Sequence, residues 1–271
     1  MQRRVFTSMV RVNFAVALLF IVSALTPNSA YSTPITRVVM SVDDYMPYVS
    51  SAAPKADYPG YMVEIAQHIF AKRNITLTLE SVPYVRAIQL GQEGRIDGMF
   101  AVNYPDPVFQ APYIAHGIDR VCLFGNEKQD TLTRLSTRTI GMTNGYNIDD
   151  IPELKQVAEE LARSTTVIWL SGDNPVVRFL DMLRDRRIDG FIERQYVVDW
   201  YSKNLPKRYA YPKLCSGDKP SYILFFTASP NSAALAEIIH SGVKDLRASG
   251  QLGAILTKYA IEDWQQTDIQ H

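Results

Sequence analysis

One phrase of the sequence occurs twice, as "RIDGMF" at Arg95–Phe100 and as "RIDGFI" at Arg187–Ile192. Each copy follows a segment with apolar residues at helical spacing, "RAIQLGQEG" before the first and "VVRFLDMLRD" before the second. Each copy is therefore predicted to be the junction between a helix and a β-strand. Two such junctions predict two halves that are built alike and face each other across a cleft.

Strand and helix patterns alternate in the same order in both halves. The first half reads "ITRVVMSV", "YMVEIAQHIFAKRN", "ITLTLESV", a helix from Tyr84 to about Glu93, and "IDGMFAV". The second half reads "RTIGM", "NGYNIDDIPELKQVAEELARS", "TTVIWL", "GDNPVVRFLDMLRDR" and "IDGFIE". Asn174 is the predicted N-cap of the last of these helices, with Pro175 as its first residue. This alternation predicts an α/β fold with mostly parallel sheets, whose ligands lie beyond the carboxyl ends of the strands.

The tail of the chain carries one more strand, "PSYILFFTAS", and two amphipathic helices, "NSAALAEIIHSGVKDLRASG" and "QLGAILTKYAIEDW". If this tail returns to the first half, the second half is an insertion between two crossing segments, near Ile114–Arg120 and near Leu214–Ser221. The predicted organisation is then lobe 1 at 33–115 and 216–271, and lobe 2 at 116–215.

The amino terminus has the layout of a secretory signal peptide. Arg3, Arg4 and Arg11 precede an apolar run from Phe14 to Leu25, and small residues follow it. The run of about a dozen residues is shorter than the ~20 that span a bilayer, which disfavours a membrane anchor. Residues 1–32 are therefore predicted to be a cleaved signal peptide.

Composition excludes several classes of function. With 46% hydrophobic and 21% charged residues, the chain is typical of a folded globular protein. It has 28 basic and 28 acidic residues, and the predicted signal peptide holds three Arg and no acid, so no basic excess indicates nucleic-acid binding. The four histidines (His68, His116, His240 and His271) form no HxxxH pair, and neither a metal nor another cofactor is predicted.

The chain has two cysteines, Cys122 and Cys215. In an oxidising compartment two thiols often form a disulfide, although two separate buried thiols are an alternative.

Eight segments between residues 35 and 266 match a known family in order and spacing: "VVMSVDDYMPY", "YPGYMVEIAQHIF", "PYVRAIQLGQEGRIDGMFAV", "FQAPYI", "TIGMTNGYN", "RRIDGFIER", "SYILFFTASPN" and "LRASGQLGAILTKYAIEDW". Through them the sequence resembles the periplasmic solute-binding proteins typified by polar amino-acid binding, known as solute-binding family 3. The resemblance implies a type II periplasmic-binding-protein-like fold, with two α/β lobes joined by two hinge crossovers that close around a ligand. It also implies a periplasmic monomer that passes a small solute to a membrane ABC transporter permease.

The resemblance places Cys122 at the start of the first lobe-two strand and Cys215 just before the return crossing. It therefore favours a disulfide that acts as a structural clamp near the hinge.

The resemblance and the predicted strand ends together give ten candidate ligand-binding residues, which are Tyr45, Tyr48, Tyr84, Arg86, Asn103, Tyr104, Asn144, Tyr146, Glu193 and Arg194. Tyr45 and Tyr48 follow the first strand, where the family places an aromatic ring against its ligand. Tyr84 matches a ligand-stacking position, and Arg86 can donate hydrogen bonds to an anion or form a structural ion pair.

The other candidates lie at strand ends. Asn103 and Tyr104 follow the third strand. Asn144 and Tyr146 form the corresponding loop of lobe two, which is either an anion site or a plain turn. Glu193 and Arg194 end the second RIDG strand, and a solvated pair is the alternative there.

The sequence also departs from the family pattern. Amino-acid binders carry a Thr-x-x-Arg element after the third strand, whereas "NYPDPVFQAPY" has no Arg. The acidic residue expected at the end of the later strand aligns with Arg194, and Glu193 lies one place earlier. A standard α-amino acid is therefore disfavoured as the ligand. An aromatic-walled pocket for an organic solute and a cation held over aromatic rings both stay open.

The predicted function is capture of a small organic solute for delivery to an ABC-type transporter. The sequence shows no GxSxG, no P-loop and no His/Asp/Glu cluster, so an enzyme is not predicted. Two alternatives are an exported dehydratase-like enzyme with Glu193 as its acid, and a ligand-binding partner of a membrane receptor.

Overall fold

A computed structural model describes residues 34–53, 56–103, 106–126, 138–144, 146–148, 151–163, 166–171, 174–203 and 209–264. The predicted signal peptide and Tyr104 lie outside the described residues. Within these ranges, no helix combines the length and the apolar character needed to cross a bilayer.

The first sheet contains five strands, in the order β2-β1-β3-β10-β4. They are β1 (Arg37–Val42), β2 (Thr76–Ser81), β3 (Gly98–Val102), β4 (Gly117–Asp119) and β10 (Lys219–Phe225). β1 pairs in parallel with β2 and β3, and β10 pairs antiparallel with β3 and β4.

The second sheet also contains five strands, in the order β7-β6-β8-β5-β9. They are β5 (Val121–Gly125), β6 (Ile140–Thr143), β7 (Val167–Leu170), β8 (Gly190–Arg194) and β9 (Tyr211–Cys215). β6 pairs in parallel with β7 and β8, and β5 pairs antiparallel with β8 and β9. The first four strands of each sheet thus follow one plan, a parallel trio joined by an antiparallel strand.

Seven α-helices flank the sheets in the described part of the chain. They are α1 (Tyr61–Ala71), α2 (Tyr84–Gln92), α3 (Lys155–Arg163), α4 (Pro175–Arg184), α5 (Gln195–Ser202), α6 (Ser232–Ala248) and α7 (Gln251–Tyr259). A short 3-10 helix, Pro152–Leu154, precedes α3. In α1 the apolar residues predicted at helical spacing are fully buried, which fixes this helix on the first sheet (Met62, Ile65, Ala66 and Ile69).

The aspartates of the two RIDG copies make equivalent hydrogen bonds. The Asp97 carboxylate accepts a hydrogen bond from the backbone N–H of Val39 at 2.8 Å, and the Asp189 carboxylate accepts one from Thr139 at 2.7 Å. In return, the N–H of each aspartate donates to the carbonyl of the same partner residue at 2.8 Å. Each aspartate therefore joins the start of its own strand to the neighbouring parallel strand.

The glycines of the two copies also match. A Cβ atom on Gly98 would lie 2.4 Å from the carbonyl oxygen of Leu224, and one on Gly190 would lie 2.5 Å from that of Phe124. Both oxygens belong to the antiparallel neighbour, β10 in one sheet and β5 in the other. The glycine lets that strand approach the RIDG strand, so the repeated phrase marks repeated architecture.

The chain passes between the sheets twice, from β4 to β5 at Asp119–Val121 and from β9 to β10 at Cys215–Lys219. Cys122 and Cys215 form a disulfide on the second-sheet side of these passages, at a sequence separation of 93. They are directly opposed in the β5–β9 ladder, so the bond joins the strands of the second sheet that come first and last along the chain. The exact lobe boundaries remain a prediction.

Candidate functional site

The first part of the candidate site is the turn that follows β1. Tyr45 forms an isolated antiparallel bridge with Val49, and the N–H of Tyr48 donates to the Tyr45 carbonyl at 3.0 Å. This tight turn places the two tyrosine rings in a stack, with their centroids 5.5 Å apart. The carboxyl end of β1 therefore presents two tyrosine hydroxyls from one turn.

The second part is the end of β8. Glu193 and Arg194 are the last residues of this strand, and α5 begins at the next residue. Glu193 is 0% exposed and Arg194 is 1% exposed. Charged side chains are rarely buried this completely unless they have partners, so their contacts decide what the site can do.

The two parts meet through tyrosine hydroxyls. The hydroxyl of Tyr45 donates to Oε1 of Glu193 at 2.7 Å, which links the turn after β1 to the end of β8. The hydroxyl of Tyr48 donates to Oδ2 of Asp119 at 2.7 Å. A side-chain contact thus joins the carboxyl end of a strand in each sheet.

Asp119 was not predicted as a site residue. It ends β4, at the first passage between the sheets, and its carboxylate also accepts the backbone N–H groups of Arg120 at 2.7 Å and Tyr196 at 3.0 Å. The available signal was an acidic residue inside the predicted crossing segment. That signal is weak, because an acidic residue in a connecting segment is usually exposed, whereas Asp119 is buried.

Arg194 reaches the second passage between the sheets. Its Nη1 donates to the carbonyl of Lys219 at 3.4 Å and its Nη2 donates to that of Pro220 at 3.2 Å. The next residue, Ser221, donates its hydroxyl to Oδ1 of Asn103 at 3.1 Å. The guanidinium therefore lies between the end of β8 and the start of β10, and Asn103 is tied to the same segment.

Burial shifts the protonation equilibria of this group. Burial raises the pKa of Glu193 to about 7, although the hydrogen bonds from Arg194 N–H and Tyr45 and the Arg194 charge act in the opposite direction. Burial likewise raises the pKa of Asp119, partly offset by Arg194. Burial opposes the charge of Arg194, but nearby Tyr48, Tyr146, Tyr45 and Asp119 raise its pKa overall, so it stays protonated.

The hydroxyls at the site stay neutral. Burial, followed by the nearby carboxylates of Glu193 and Asp119, raises the pKa values of Tyr45 and Tyr48 well above their ordinary value. Both tyrosines therefore act as hydrogen-bond donors to carboxylates at physiological pH.

A second contact between the halves lies nearby. The predicted N-cap, Asn174, precedes α4, but its side chain makes no cap hydrogen bond. Instead Nδ2 donates to Asp44 at 3.4 Å, and Oδ1 accepts from the hydroxyl of Tyr201 at 3.3 Å. Asp44 belongs to the turn after β1, so Asn174 links the first helix turn of α4 to that turn.

The remaining predicted residues lie in different settings. Tyr146 is half-buried and near enough to Tyr45 and Arg194 to influence both of their pKa values, whereas Asn144 is exposed. Tyr84 packs on the apolar cluster of α2 and β3. Arg86 is exposed and donates to Gln89 in its own helix at 3.1 Å. The roles of these residues in ligand binding stay predictions, and Tyr104 lies outside the described residues.

The part of the chain that the structure describes contains no group of three or more His, Cys, Asp or Glu side chains placed to hold a metal ion. What the site offers is hydrogen-bonding and charged groups around tyrosine rings. Such a group can bind and orient a small polar molecule.

Comparison with known proteins gives the fold. No protein-family model and no curated protein matches the chain. A histidine kinase sensor domain with similarity to periplasmic binding proteins matches with a TM-score of 0.66 and 16% identity, over 83% of this chain and 96% of that one.

Two structures of amino-acid-binding proteins match to a similar extent. ArtJ, an arginine-, lysine- and histidine-binding protein from Geobacillus stearothermophilus, gives a TM-score of 0.64 and 16% identity over 82% of this chain and 94% of its own. AbpA, an amino-acid ABC transporter substrate-binding protein from Streptococcus pneumoniae bound to L-arginine, gives a TM-score of 0.61 and 18% identity over 84% of this chain and 97% of its own. These similarities confirm the predicted two-lobed type II α/β fold.

Proposed function

We propose that this protein captures a small organic solute between its two lobes, outside the cytoplasm, and delivers it to an ABC-type transporter. The observation that carries the proposal is the buried polar group shared by both sheets, in which Tyr45 binds Glu193 at 2.7 Å. A solute held there contacts both lobes, so its binding energy favours the closed arrangement. The ABC-transporter binding proteins among the similar structures support the same role.

The proposed ligand-binding residues are those that the structure brings together. They are Tyr45, Tyr48, Asp119, Tyr146, Glu193 and Arg194. In this proposal residues 1–32 direct export and are removed, the mature protein is a periplasmic monomer, and no step requires covalent chemistry. The tyrosines contribute apolar ring surface and neutral donors, while the charged residues orient the solute.

Thermal melting with a panel of small solutes tests this function. A true ligand at 100 times its Kd adds about 2.7 kcal/mol to the free energy of unfolding and raises the melting temperature. Tyr45→Phe removes the hydroxyl that binds Glu193 and should weaken binding by about tenfold, since a hydrogen bond to a charged group contributes about 1.5 kcal/mol.

The matched control is Tyr113→Phe. The Tyr113 hydroxyl donates to the Asp106 carbonyl at 2.8 Å, away from the candidate site, so its removal should leave the affinity unchanged. Equal affinities for wild type and both variants would remove the proposed site. A solute returned chemically altered would indicate the dehydratase-like alternative.

The match to a sensor domain favours a second candidate function, in which the loaded protein docks on a membrane receptor. Deletion of the gene separates the two. Loss of uptake of the radiolabelled solute supports transport, whereas intact uptake with loss of the transcriptional response to that solute supports signalling.

A further inference from the structure

Two polar atoms at the candidate site lack hydrogen-bond partners among the described residues. They are Oε2 of Glu193 and Nε of Arg194. The other polar atoms of both side chains are engaged, since Glu193 Oε1 accepts from Tyr45 and from the Arg194 N–H, and both terminal nitrogens of Arg194 donate to carbonyls. A buried polar group without a partner costs about 1–3 kcal/mol. Two of them on adjacent residues indicate where a ligand supplies an N–H donor and an oxygen acceptor.

The charges at the site are not balanced. Asp119, Glu193 and Arg194 are the charged side chains that are buried in the described part of the chain, and His116 is the buried histidine there. Burial lowers the pKa of His116 to about 3, so this histidine is neutral at physiological pH. With both carboxylates ionised, one guanidinium faces two negative charges. A guest with one positive charge would neutralise the excess.

Arg194 is poorly placed to bind a carboxylate. Its strength as an anion binder comes from the planar fork of N–H donors, and both terminal nitrogens of that fork face the β10 carbonyls of Lys219 and Pro220. The unpartnered Nε–H can serve one neutral oxygen acceptor. A ligand carboxylate would also lie beside Glu193 and Asp119, whose negative charges would repel it.

We infer that the solute is an organic monocation without a carboxylate, whose charged nitrogen donates to Oε2 of Glu193. A neutral oxygen on the same molecule, such as a hydroxyl or carboxamide oxygen, accepts from Nε of Arg194. This inference rests on the proposed function, because it assumes that the group between the sheets receives a solute. It names a ligand class distinct from the zwitterionic amino acids.

Isothermal titration with matched pairs of probes tests the inference. The pairs are tyramine with L-tyrosine, ethanolamine with L-serine, and 4-aminobutanamide with L-glutamine; within each pair the amine lacks only the carboxylate, and its alkylammonium group stays protonated at pH 8. Titration at pH 8 keeps Glu193 ionised, because this lies above its pKa of about 7. At least one carboxylate-free amine is expected to bind at least tenfold more tightly than its amino acid.

Glu193→Gln should then lower the affinity for that amine by at least tenfold, since it removes the charge and keeps the shape. Glu159→Gln, on the exposed face of α3, is the matched control and should bind as wild type does. The comparison of amine with amino acid uses the wild-type protein, so it stands even if Glu193→Gln fails to fold.

The outcomes separate this inference from the proposed function. An amino acid that binds as tightly as its amine overturns the inference, and so does an amine whose affinity is unchanged in folded Glu193→Gln. If only a neutral or anionic solute binds and Tyr45→Phe weakens it, the inference is wrong and the proposed function stands. If no solute of any charge binds, both are wrong.

Discussion

The two sheets of this protein agree at one end of the RIDG strand and differ at the other. At the start, Ile96 and Ile188 are buried, and Asp97 and Asp189 each bind the backbone of the neighbouring parallel strand. At the carboxyl end, β3 leads to Asn103, whereas β8 ends in the buried pair Glu193 and Arg194.

This difference separates architecture from chemistry. The repeated residues make backbone contacts that any pair of such sheets needs, so a repeat in the sequence indicates a shared scaffold. The residues that differ lie at the strand end that faces the other sheet. The buried charged pair therefore occurs at the end of β8 and not at the equivalent end of β3. We expect the charged contacts to the proposed ligand to come from β8.

The largest expected effect comes from the disulfide, which only the second sheet has in the described part of the chain. Replacing Cys122 and Cys215 together by Ala releases a loop with a sequence separation of 93 residues. The chain-entropy model gives a loss of about 4.6 kcal/mol in the free energy of unfolding. Urea denaturation measures the loss, and reductant should lower the midpoint of the wild type but not that of the double variant. Equal midpoints for all four samples would contradict the proposed clamp.

The next effect tests whether the glycines of the two RIDG copies, Gly98 and Gly190, are equally intolerant of a side chain. Gly98→Ala and Gly190→Ala each place a Cβ atom within about 2.5 Å of a backbone carbonyl oxygen, so each should destabilise by about 3 kcal/mol. Gly253→Ala is the control, because nothing lies within 4 Å of its Cβ and it is in helix α7; it should stabilise by about 0.5–1 kcal/mol. Denaturation midpoints measure all three, and a neutral result at one RIDG glycine would break the equivalence.

The aspartates should show a smaller effect, and an unequal one. Asp97 accepts from Val39 N–H and from Ser229 at 2.6 Å, whereas the second partner of Asp189 is the partly exposed Arg138 at 3.2 Å. Asp97→Ala should therefore cost about 2 kcal/mol and Asp189→Ala about 1 kcal/mol.

Asp245→Ala on the exposed face of α6 is the control for these two variants and should change the unfolding free energy little. Because Asp97 and Asp189 belong to different sheets, the two losses should add in the double variant. A larger loss at Asp189 than at Asp97 would show that the Arg138 pair stabilises more than its exposure indicates.

Periodicity and turn residues were enough to predict most of the fold. The alternation of strand and helix patterns placed β1, β2 and β3, and then β6, β7 and β8, because each carries its own local signal. The short strands β4 and β9 and helix α5 were not predicted as elements. β9, "YPKLC", alternates between half-buried and exposed residues and contains a proline, so its strand character depends on pairing with β5, which is a distant contact.

The site was harder to predict than the fold. Tyr45, Tyr48, Glu193 and Arg194 were candidates because strand ends are identifiable in the sequence, and the structure brings them together. Asp119 was missed, since its hydrogen-bond donors Tyr48, Arg120 and Tyr196 come together only in the folded chain. The sequence also cannot show that Arg86 turns toward Gln89 along its own helix, because both orientations fit the same helical pattern.

A further expected effect is a pH dependence to which His116, beside the first sheet, and Glu193, in the second sheet, contribute with opposite signs. His116 precedes β4, and its Nδ1 accepts the Ile223 N–H at 3.1 Å, which keeps the ring neutral. Its pKa is lowered from 6.5 to about 3, so the unfolded chain binds the proton more tightly and stability is lost as the pH falls below about 6.5. The Glu193 pKa is raised from 4.5 to about 7, so the folded state binds the proton more tightly and stability is lost as the pH rises from about 4.5 through 7.

Removing the titrating group of His116 or of Glu193 should therefore change the pH dependence of the unfolding free energy in opposite directions. Urea midpoints at pH 5, 6, 7 and 8 should show Glu193→Gln gaining on the wild type as the pH rises, because the glutamine does not titrate. Glu159→Gln, on the exposed face of α3, is measured beside it as the control for loss of a carboxyl group. A flat difference between Glu193→Gln and wild type would mean that the Glu193 carboxyl has the same pKa in the folded and unfolded chains. The contrast between the carboxyl end of β3, at the neutral Asn103, and the carboxyl end of β8, at the buried Glu193, would then have no consequence for stability.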